Sequence, residues 1–280
     1  MPITPVDRSV TLRDGFRLAL RVWTPGDAER ARGTVVIAHG LGEHAGRYQQ
    51  LAHDLAAAGW EVHASDHRGH GRSIGARGVI PAAESIRDDI LESLAYAHAT
   101  ATRPVVLLGH SMGGAMAAWA IAHKPSAADA LVLSSPALRT DMSLVQRVLL
   151  KTIGRIMPDL VVGNGLSARY VSHDPAVVDA YTIDPLVHDR VSSRLAQAII
   201  TAGDVVRIAA PTWSTPTLLL FAGADRLVNP GGSLDFAQAA PESIVTALRF
   251  DTLYHEIFNE VGREAPVRAL LDWLRQRPAV

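Results

Sequence analysis

The sequence contains no cysteine among its 280 residues. Disulfides, cysteine-ligated zinc and thiol catalysis are therefore excluded. Charge of one sign is not in excess either, because 27 Lys and Arg stand against 28 Asp and Glu. Without a strongly basic surface, binding to DNA or RNA is not expected.

Long apolar runs are also missing. No uninterrupted run reaches the roughly 18 residues that a membrane-spanning helix needs. The first ten residues are polar, contain two prolines and lack the apolar segment of a signal peptide. We therefore expect a soluble, cytoplasmic protein. With 48% hydrophobic and 20% charged residues, the composition is that of a folded globular chain, and its length predicts a single domain over residues 1–280.

Short apolar runs rich in β-branched residues alternate with longer segments of helical periodicity. This alternation predicts an α/β fold with a mostly parallel central sheet flanked by helices. Two N-terminal runs, Arg8 to Thr11 and Arg17 to Trp23, predict a hairpin. The predicted central strands are Thr34 to Ala38, Glu61 to Ser65, Pro104 to Leu108, Ala130 to Leu133, Thr217 to Ala222 and Val245 to Phe250. The predicted helices are Tyr48 to Ala58, Ala82 to Ala99, Gly113 to His123, Leu234 to Ala239 and Arg263 to Arg275.

The alternation stops between Ala137 and about Pro211. This stretch is rich in helix formers and includes Pro158, Pro175 and Pro185. It predicts a helical cap insertion, about 137–211, within the single domain.

A serine lies between a predicted strand and a predicted helix, in the turn Gly109-His110-Ser111-Met112-Gly113. The G-x-S-x-G pattern in this context is typical of a nucleophile elbow, in which the serine stands exposed above the sheet. Glycines at both ends remove the Cβ atoms that would collide where the backbone doubles back. Outside such a context the pattern also occurs in ordinary glycine-rich loops. We predict that Ser111 is a catalytic nucleophile.

A serine nucleophile needs a base, and the base needs a group that orients it. Asp225 follows the strand that ends at Ala222, and His255 follows the last strand. Because catalytic groups of open α/β sheets gather at the carboxyl ends of strands, both fit, and the chain order Ser, Asp, His is that of α/β-hydrolases. Asp204 in the cap and Asp251 are competing carboxylates.

The turn His39-Gly40-Leu41-Gly42 follows the first central strand. At this place the hydrolase fold supplies one backbone N–H to an oxyanion hole, and the residue after the nucleophile supplies the other. We assign these roles to Leu41 and Met112. A competing interpretation is a dinucleotide site, because residues 40–45 match G-x-G-x-x-A and Asp66 ends the next strand. Glu43 would place a negative charge near the phosphates, which disfavours it.

The remaining histidines carry no metal-binding spacing such as H-E-x-x-H, so no metal and no cofactor are predicted. His39 and His188 are interpreted as buried structural residues. His67 and His70 lie in the glycine-rich stretch Asp66 to Ser73 and are also expected to be structural.

Together these motifs resemble the α/β-hydrolase family of monoacylglycerol lipases and lysophospholipase-like esterases. The similarity spans nearly the whole chain and rests on three glycine-rich stretches and three later motifs. They are residues 39–48, 66–73 and 109–114, then Asp184-Pro185-Leu186-Val187, Asp225-Arg226-Leu227-Val228 and residues 253–260. The resemblance implies a Ser111, Asp225 and His255 triad, oxyanion donors at Leu41 and Met112, and a cap over an apolar acyl channel. It also implies a small-molecule ester substrate with an acyl chain, monoacylglycerol first of all.

Within the cap, Ser143 to Pro158 predicts an amphipathic helix with Arg147, Lys151 and Arg155 spaced four apart. Such a helix either packs on its own domain with a solvated basic stripe, or rests on an anionic lipid surface. Both interpretations stay open at this stage.

The sequence thus predicts a serine carboxylic-ester hydrolase. A broad carboxylesterase, a lysophospholipase, a carbon–carbon bond hydrolase, a peptidase and a perhydrolase stay open, because fold does not decide chemistry. From another class, a ligand-binding protein could use the same scaffold, but it would have no need of a complete triad.

Overall fold

The computed structural model describes residues 3–27, 31–141 and 143–276, without the side chains of residues 144, 145, 147 and 151. Its main sheet has eight strands. They are β1 (Val6–Thr11), β2 (Arg17–Trp23), β3 (Gly33–Ala38), β4 (Trp60–Ser65), β5 (Val105–His110), β6 (Ala130–Ser134), β9 (Thr217–Ala222) and β10 (Val245–Phe250); the short β7 (Val161–Gly163) and β8 (Arg190–Ser192) form a separate ribbon.

The strand order in the main sheet is β1-β2-β4-β3-β5-β6-β9-β10. The N-terminal hairpin is confirmed, since β1 and β2 pair antiparallel, and β2 joins the sheet antiparallel to β4. All pairs from β4 to β10 are parallel. The carboxyl ends of β3, β5, β9 and β10 therefore meet at one edge of the sheet.

Alternate residues of the central strands supply two cores. Val36 and Leu107 face one core, which they share with apolar residues of several helices. Val35 and Val106 face the other core, because successive side chains of a strand point to opposite faces. A sheet buried on both faces explains why its strands read as continuous apolar runs.

Helices cover both faces of the sheet. They are α1 (Gln49–Ala57), α2 (Ser85–Thr100), α3 (Ser111–His123), α7 (Gly231–Ala239) and α8 (Glu264–Arg275). Leu51 of α1 and Leu270 of α8 lie in one core, whereas Ile86 of α2 and Phe236 of α7 lie in the other.

Two boundaries differ from the sequence prediction at the most important turn. Strand β5 continues to His110, and α3 begins at Ser111 instead of Gly113. The chain thus passes from strand to helix with no intervening loop residue. Helix α7 also begins earlier than predicted, at Gly231.

Between β6 and β9 the chain leaves the main sheet for the cap segment, residues 137–211. It contains α4 (Leu144–Ile156), α5 (Pro175–Ile183) and α6 (Ser193–Ala209). Helix α4 begins with a capping box between Ser143 and Gln146. Two side chains of its predicted basic stripe, Arg147 and Lys151, lie outside the described residues.

The last helix of the cap segment belongs to the main core. Leu195, Ala198, Ala202 and Val206 of α6 are fully buried in the core that also holds α3. Among the described side chains, α4 and α5 contribute none to either core, whereas β8 contributes Val191. Over the described ranges, no helix combines the length and apolar character needed to cross a bilayer.

Candidate active site

Ser111 lies in a strained backbone conformation. Its φ is 54°, a left-handed value that is uncommon for residues other than glycine. A Cβ at Gly113 would come within 2.2 Å of the Ala38 carbonyl oxygen, so only glycine allows α3 to approach β3 this closely. Ser111 is thus the first residue of α3, and it combines a left-handed φ with a helix start that is packed closely against β3.

His255 and Asp225 are in direct contact. The Nδ1–H of His255 donates to Oδ2 of Asp225 at 2.7 Å, and both side chains are buried. The backbone N–H groups of Leu227 and Val228 donate to the other oxygen of Asp225, at 2.8 and 2.9 Å. Two backbone N–H groups of the following residues therefore hold one oxygen of the Asp225 carboxylate, and the other oxygen accepts from the imidazole.

This contact controls both pKa values. Burial alone would lower the pKa of His255, but the Asp225 carboxylate outweighs it and raises that pKa above 6.5. Burial would raise the pKa of Asp225, and the imidazole lowers it instead. Asp225 therefore stays ionised beside the ring, and the resulting field favours a positive charge on His255.

A second imidazole lies beside His255. The ring of His110 is 4.6 Å from that of His255, centroid to centroid, and its Nδ1 is 3.0 Å from the hydroxyl of Ser134. Burial and the neighbouring His255 lower the pKa of His110 to about 3. His110 thus stays neutral and adds no charge that would oppose protonation of His255.

The predicted oxyanion turn adjoins the elbow. A Cβ at Gly40 would lie 3.2 Å from the Ser111 Cβ, so the two turns touch at this point. Met112 is the second residue of α3, and backbone N–H groups in the first turn of a helix have no acceptor within that helix. Leu41 lies in the turn next to Ser111. The structure therefore places the turn that contains Leu41 against the elbow that contains Ser111 and Met112.

A buried polar network supports the oxyanion turn. The N–H of Gly40 donates to Oε1 of Glu43 at 2.5 Å, and the Tyr48 hydroxyl donates to the same oxygen at 2.7 Å. The Arg47 guanidinium pairs with Glu43 at 3.3 Å and with Glu256 at 2.6 Å. Burial disfavours the charged guanidinium, but these carboxylates raise the pKa of Arg47.

Part of the cap segment rests directly on this turn. The N–H of His188 donates to the Gly42 carbonyl at 2.8 Å, and a Cβ at Gly42 would collide with the His188 carbonyl oxygen. Nε2 of His188 lies 3.1 Å from the Gly69 carbonyl. Nε2 of His44 lies 2.9 Å from Asp184. We call residues 184–192 the cap seat.

The competing carboxylates lie elsewhere. Asp204 pairs with Arg207 at 2.5 Å, and Asp251 is exposed and pairs with Arg249 at 2.8 Å. The dinucleotide interpretation is wrong for this fold. The Glu43 carboxylate fills the turn that would hold phosphates, and Asp66 accepts backbone N–H groups from Ala45 and Arg72.

The other histidines of the glycine-rich stretches are packed together. His39 contacts His67 and His70, and His70 contacts His188 in turn, with ring centroids 4.2 to 5.4 Å apart. Burial lowers the pKa of His39, His67 and His70, that of His67 to about 4. Within the described ranges, no three His, Asp or Glu side chains are placed to hold a metal ion.

Sequence reasoning missed the network of Glu43, Arg47, Tyr48 and Glu256. A charged residue inside an otherwise glycine-rich turn was the one local signal, and we interpreted Glu43 only as unfavourable to phosphate. The contact between Arg47 and Glu256 joins residues 209 positions apart, so no local pattern predicts it.

A mostly parallel sheet, a strained serine at a strand-to-helix turn and an Asp–His pair at neighbouring strand ends define an α/β-hydrolase of the serine hydrolase class. Comparison with known proteins then identifies the family. Residues 29–262 match the profile described as serine aminopeptidase, S33, and the chain belongs to this family.

Several relatives are lipases. The chain is 37% identical to a monoacylglycerol lipase of Mycolicibacterium smegmatis, over 93% of each chain. It is 34% identical to the crystal structure of a monoacylglycerol lipase from Paleococcus ferrophilus, with a TM-score of 0.84 over 92% of this chain and 98% of that one. The yeast monoglyceride lipase, at 19% identity and a TM-score of 0.87 over 100% and 97%, is similar in fold. These relationships identify a serine ester hydrolase.

Proposed function

We propose that this protein hydrolyses monoacylglycerols to a fatty acid and glycerol, with Ser111 as nucleophile, His255 as base and Asp225 as the residue that orients it. The observation that carries this proposal is the His255–Asp225 contact, with the His255 ring 4.6 Å from that of His110, the residue that precedes a serine at φ 54°. The lipase relatives support the substrate class.

The reaction proceeds in two halves. His255 takes the Ser111 proton as the hydroxyl oxygen attacks the ester carbonyl, and the N–H groups of Leu41 and Met112 bind the oxyanion. The tetrahedral intermediate collapses, and His255 gives its proton to the departing glycerol. Water, activated by His255, then attacks the acyl-enzyme, and release of the fatty acid restores Ser111.

The test compares a chain-length series of 1-monoacylglycerols with matched aryl esters, a lysophospholipid and a peptide amide. The lysophospholipid is included because a Bacillus subtilis relative, 30% identical, is named a phospholipase. Monoacylglycerols should give the highest kcat/KM. Turnover of the peptide amide alone would contradict the proposal, and tight binding of esters without turnover would favour a ligand-binding protein.

Replacement of the nucleophile is the sharpest check on the residues. Ser111→Ala should lower ester turnover by at least about a thousandfold and abolish covalent labelling by a fluorophosphonate, because both need the hydroxyl. Ser135→Ala, a buried serine nearby in the structure that also has a positive φ, is the matched control. Retention of most activity in Ser111→Ala would refute the assignment.

We further propose that α4 and α5 touch a lipid surface. Large apolar side chains on and beside these helices are exposed, with Ile156 at 74% and Ile183 at 79%. Three further apolar side chains there are exposed, those of Val148, Leu149 and Met157. Arg155 adds a positive charge in the last turn of α4. Several large apolar side chains exposed on one segment are typical of membrane or partner contact.

Liposome co-sedimentation tests the contact. Ile156→Gln with Ile183→Gln should reduce binding to vesicles several-fold, whereas Ile74→Gln, equally exposed outside the cap segment, should not. Vesicles with and without phosphatidylglycerol separate the apolar from the electrostatic contribution, to which Arg147, Lys151 and Arg155 are expected to contribute. Equal sedimentation of all variants would contradict a cap contact.

A further inference from the structure

The backbone of Gly40 is held on both sides by buried side chains. Its N–H donates to Oε1 of Glu43 at 2.5 Å, and its carbonyl lies 2.8 Å from Nδ1 of His39. His39 is fully buried and Glu43 is 4% exposed. Neither hydrogen bond therefore competes with solvent.

The tautomer of His39 follows from its partners. The N–H of His67 donates to Nε2 of His39 at 2.9 Å, so Nε2 carries the lone pair. The proton then lies on Nδ1, which donates to the Gly40 carbonyl. Burial and the neighbouring His67 and His70 lower the pKa of His39, which keeps the ring neutral and preserves this tautomer.

The Gly40 carbonyl and the Leu41 N–H belong to one peptide unit. In a trans peptide the two groups point in opposite directions within one plane. The hydrogen bond from His39 therefore aims the Leu41 N–H away from that ring. The hydrogen bond that the Gly40 N–H donates to Glu43 fixes the other side of the same residue.

Glu43 is itself restrained. Tyr48 donates to the same oxygen that binds Gly40, and Arg47 pairs with the other oxygen. Burial and the adjacent Glu43 raise the pKa of Tyr48, so this phenol keeps its proton and continues to donate. The Glu43 carboxylate is held in one position, because Gly40 and Tyr48 bind one of its oxygens and Arg47 binds the other.

We propose that Glu43 and His39 are positioning residues that orient the Leu41 N–H toward the oxyanion. This inference rests on the proposed function, since Leu41 is the oxyanion donor there. Both side chains are buried. Both act through the backbone of Gly40, so their effect falls on the transition state and not on substrate binding.

The first test compares two substitutions of Glu43 in the full chain. Glu43→Gln and Glu43→Met both lose the ion pair with Arg47, but the glutamine keeps an acceptor for the Gly40 N–H. Glu43→Met should be the less stable of the two variants, because the buried Gly40 N–H and Tyr48 hydroxyl lose their acceptor. On a 4-nitrophenyl ester, Glu43→Met should lose about ten- to a hundredfold in kcat with little change in KM, whereas Glu43→Gln stays within a few-fold of wild type.

A second pair of variants, at His39, tests the inference even if Glu43→Met does not fold. The amide nitrogen of His39→Asn lies near the place of Nδ1 and can still donate to the Gly40 carbonyl, whereas that of His39→Gln lies near Nε2 and cannot. His39→Asn should therefore retain the higher kcat. Asp89→Asn, which breaks a buried ion pair with Arg68 and leaves both hydrogen bonds to Gly40 in place, is the stability control.

Inhibition separates positioning from general damage. A trifluoromethyl ketone forms a tetrahedral oxyanion with the serine, so its inhibition constant should rise in parallel with the loss of kcat/KM. Inhibition by the fatty acid product should change little. If Glu43→Met matches wild type in kcat, or His39→Asn and His39→Gln are equal, the inference is wrong while Ser111-dependent ester hydrolysis still stands. A wild-type protein inert toward esters would overturn both.

Discussion

In the proposed mechanism, the contact between His255 and Asp225 sets the pH range in which the enzyme is active. A protonated imidazole cannot accept the serine proton, so turnover falls as the pH falls through the pKa of His255. Asp225 raises that pKa above 6.5. We therefore expect the acidic limb of kcat/KM to have its inflection above pH 6.5.

Removal of the carboxylate should move that inflection. Asp225→Asn deprives the imidazolium of its partner, so the inflection should shift to lower pH and kcat should fall by about ten-thousandfold. The pH profile of a soluble aryl ester gives both values. Asp251→Asn, in the competing carboxylate, should leave the profile unchanged, and a reversal of the two results would assign the role to Asp251.

At the scale of residues, the sequence predicted the features that follow from local order. Ser111 follows its strand directly, and Asp225 and His255 each follow theirs within a few residues, so chain order and strand ends were enough to propose them. The support of the oxyanion turn was not predictable in this way. Glu43, Arg47 and Glu256 meet through tertiary packing, and a sequence carries no local record of that contact.

At the scale of elements, α6 packs tightly against Leu138, at the start of the cap segment. A Cβ at Gly203 would lie 2.6 Å from the Leu138 carbonyl oxygen, a backbone atom that cannot move away. Gly203→Ala should therefore lower the free energy of unfolding by about 1–3 kcal/mol through overpacking. Urea denaturation followed by circular dichroism measures it.

A second helical glycine in the cap segment provides the control. A Cβ at Gly154 of α4 would crowd the flexible end of Gln197, at 2.8 Å, and lie at ordinary contact distance, 3.6 Å, from the Ser193 carbonyl oxygen. Gly154→Ala should be neutral, or stabilising by up to about 1 kcal/mol, because alanine favours the helix. Equal losses in both variants would show that α6 is not held against Leu138.

The sequence distinguished these helices poorly. Their composition predicted a helical insertion and its approximate limits. It did not indicate that α6 packs in the core, because small residues at helical spacing would suit a detached cap helix equally well. What separates α6 from α4 is its packing on α3, which only the three-dimensional arrangement defines. The β7–β8 ribbon, three residues a strand, is too short to produce a recognisable alternation.

At the scale of the whole molecule, the buried histidines make stability depend on pH. Burial lowers the pKa of His67 to about 4 and that of His110 to about 3, and it lowers those of His39 and His70 as well. In the unfolded chain these groups titrate near 6.5. Between pH 6.5 and about 4, these histidines therefore bind protons in the unfolded chain but not in the folded chain.

The free energy of unfolding should then fall as the pH is lowered from 7 to 5. Each such histidine contributes about 1.4 kcal/mol per pH unit below 6.5, and His255, whose pKa is raised, opposes the effect. Urea midpoints at several pH values measure the slope, and His67→Gln should reduce it by one histidine's share. A midpoint that does not change across this range would contradict the prediction.

The cap seat limits how substrate preference can be redesigned. Within residues 184–192, the N–H of His188 donates to Gly42 of the oxyanion turn, and the N–H of Ser192 donates to the Gly78 carbonyl. A Cβ at Gly78 would collide with the Arg190 carbonyl oxygen. A graft of a foreign cap that replaces these residues would therefore disturb the turn as well. A chimera should therefore be joined before Asp184 and keep the native chain from there through α6, so that new specificity comes from α4 and α5 alone.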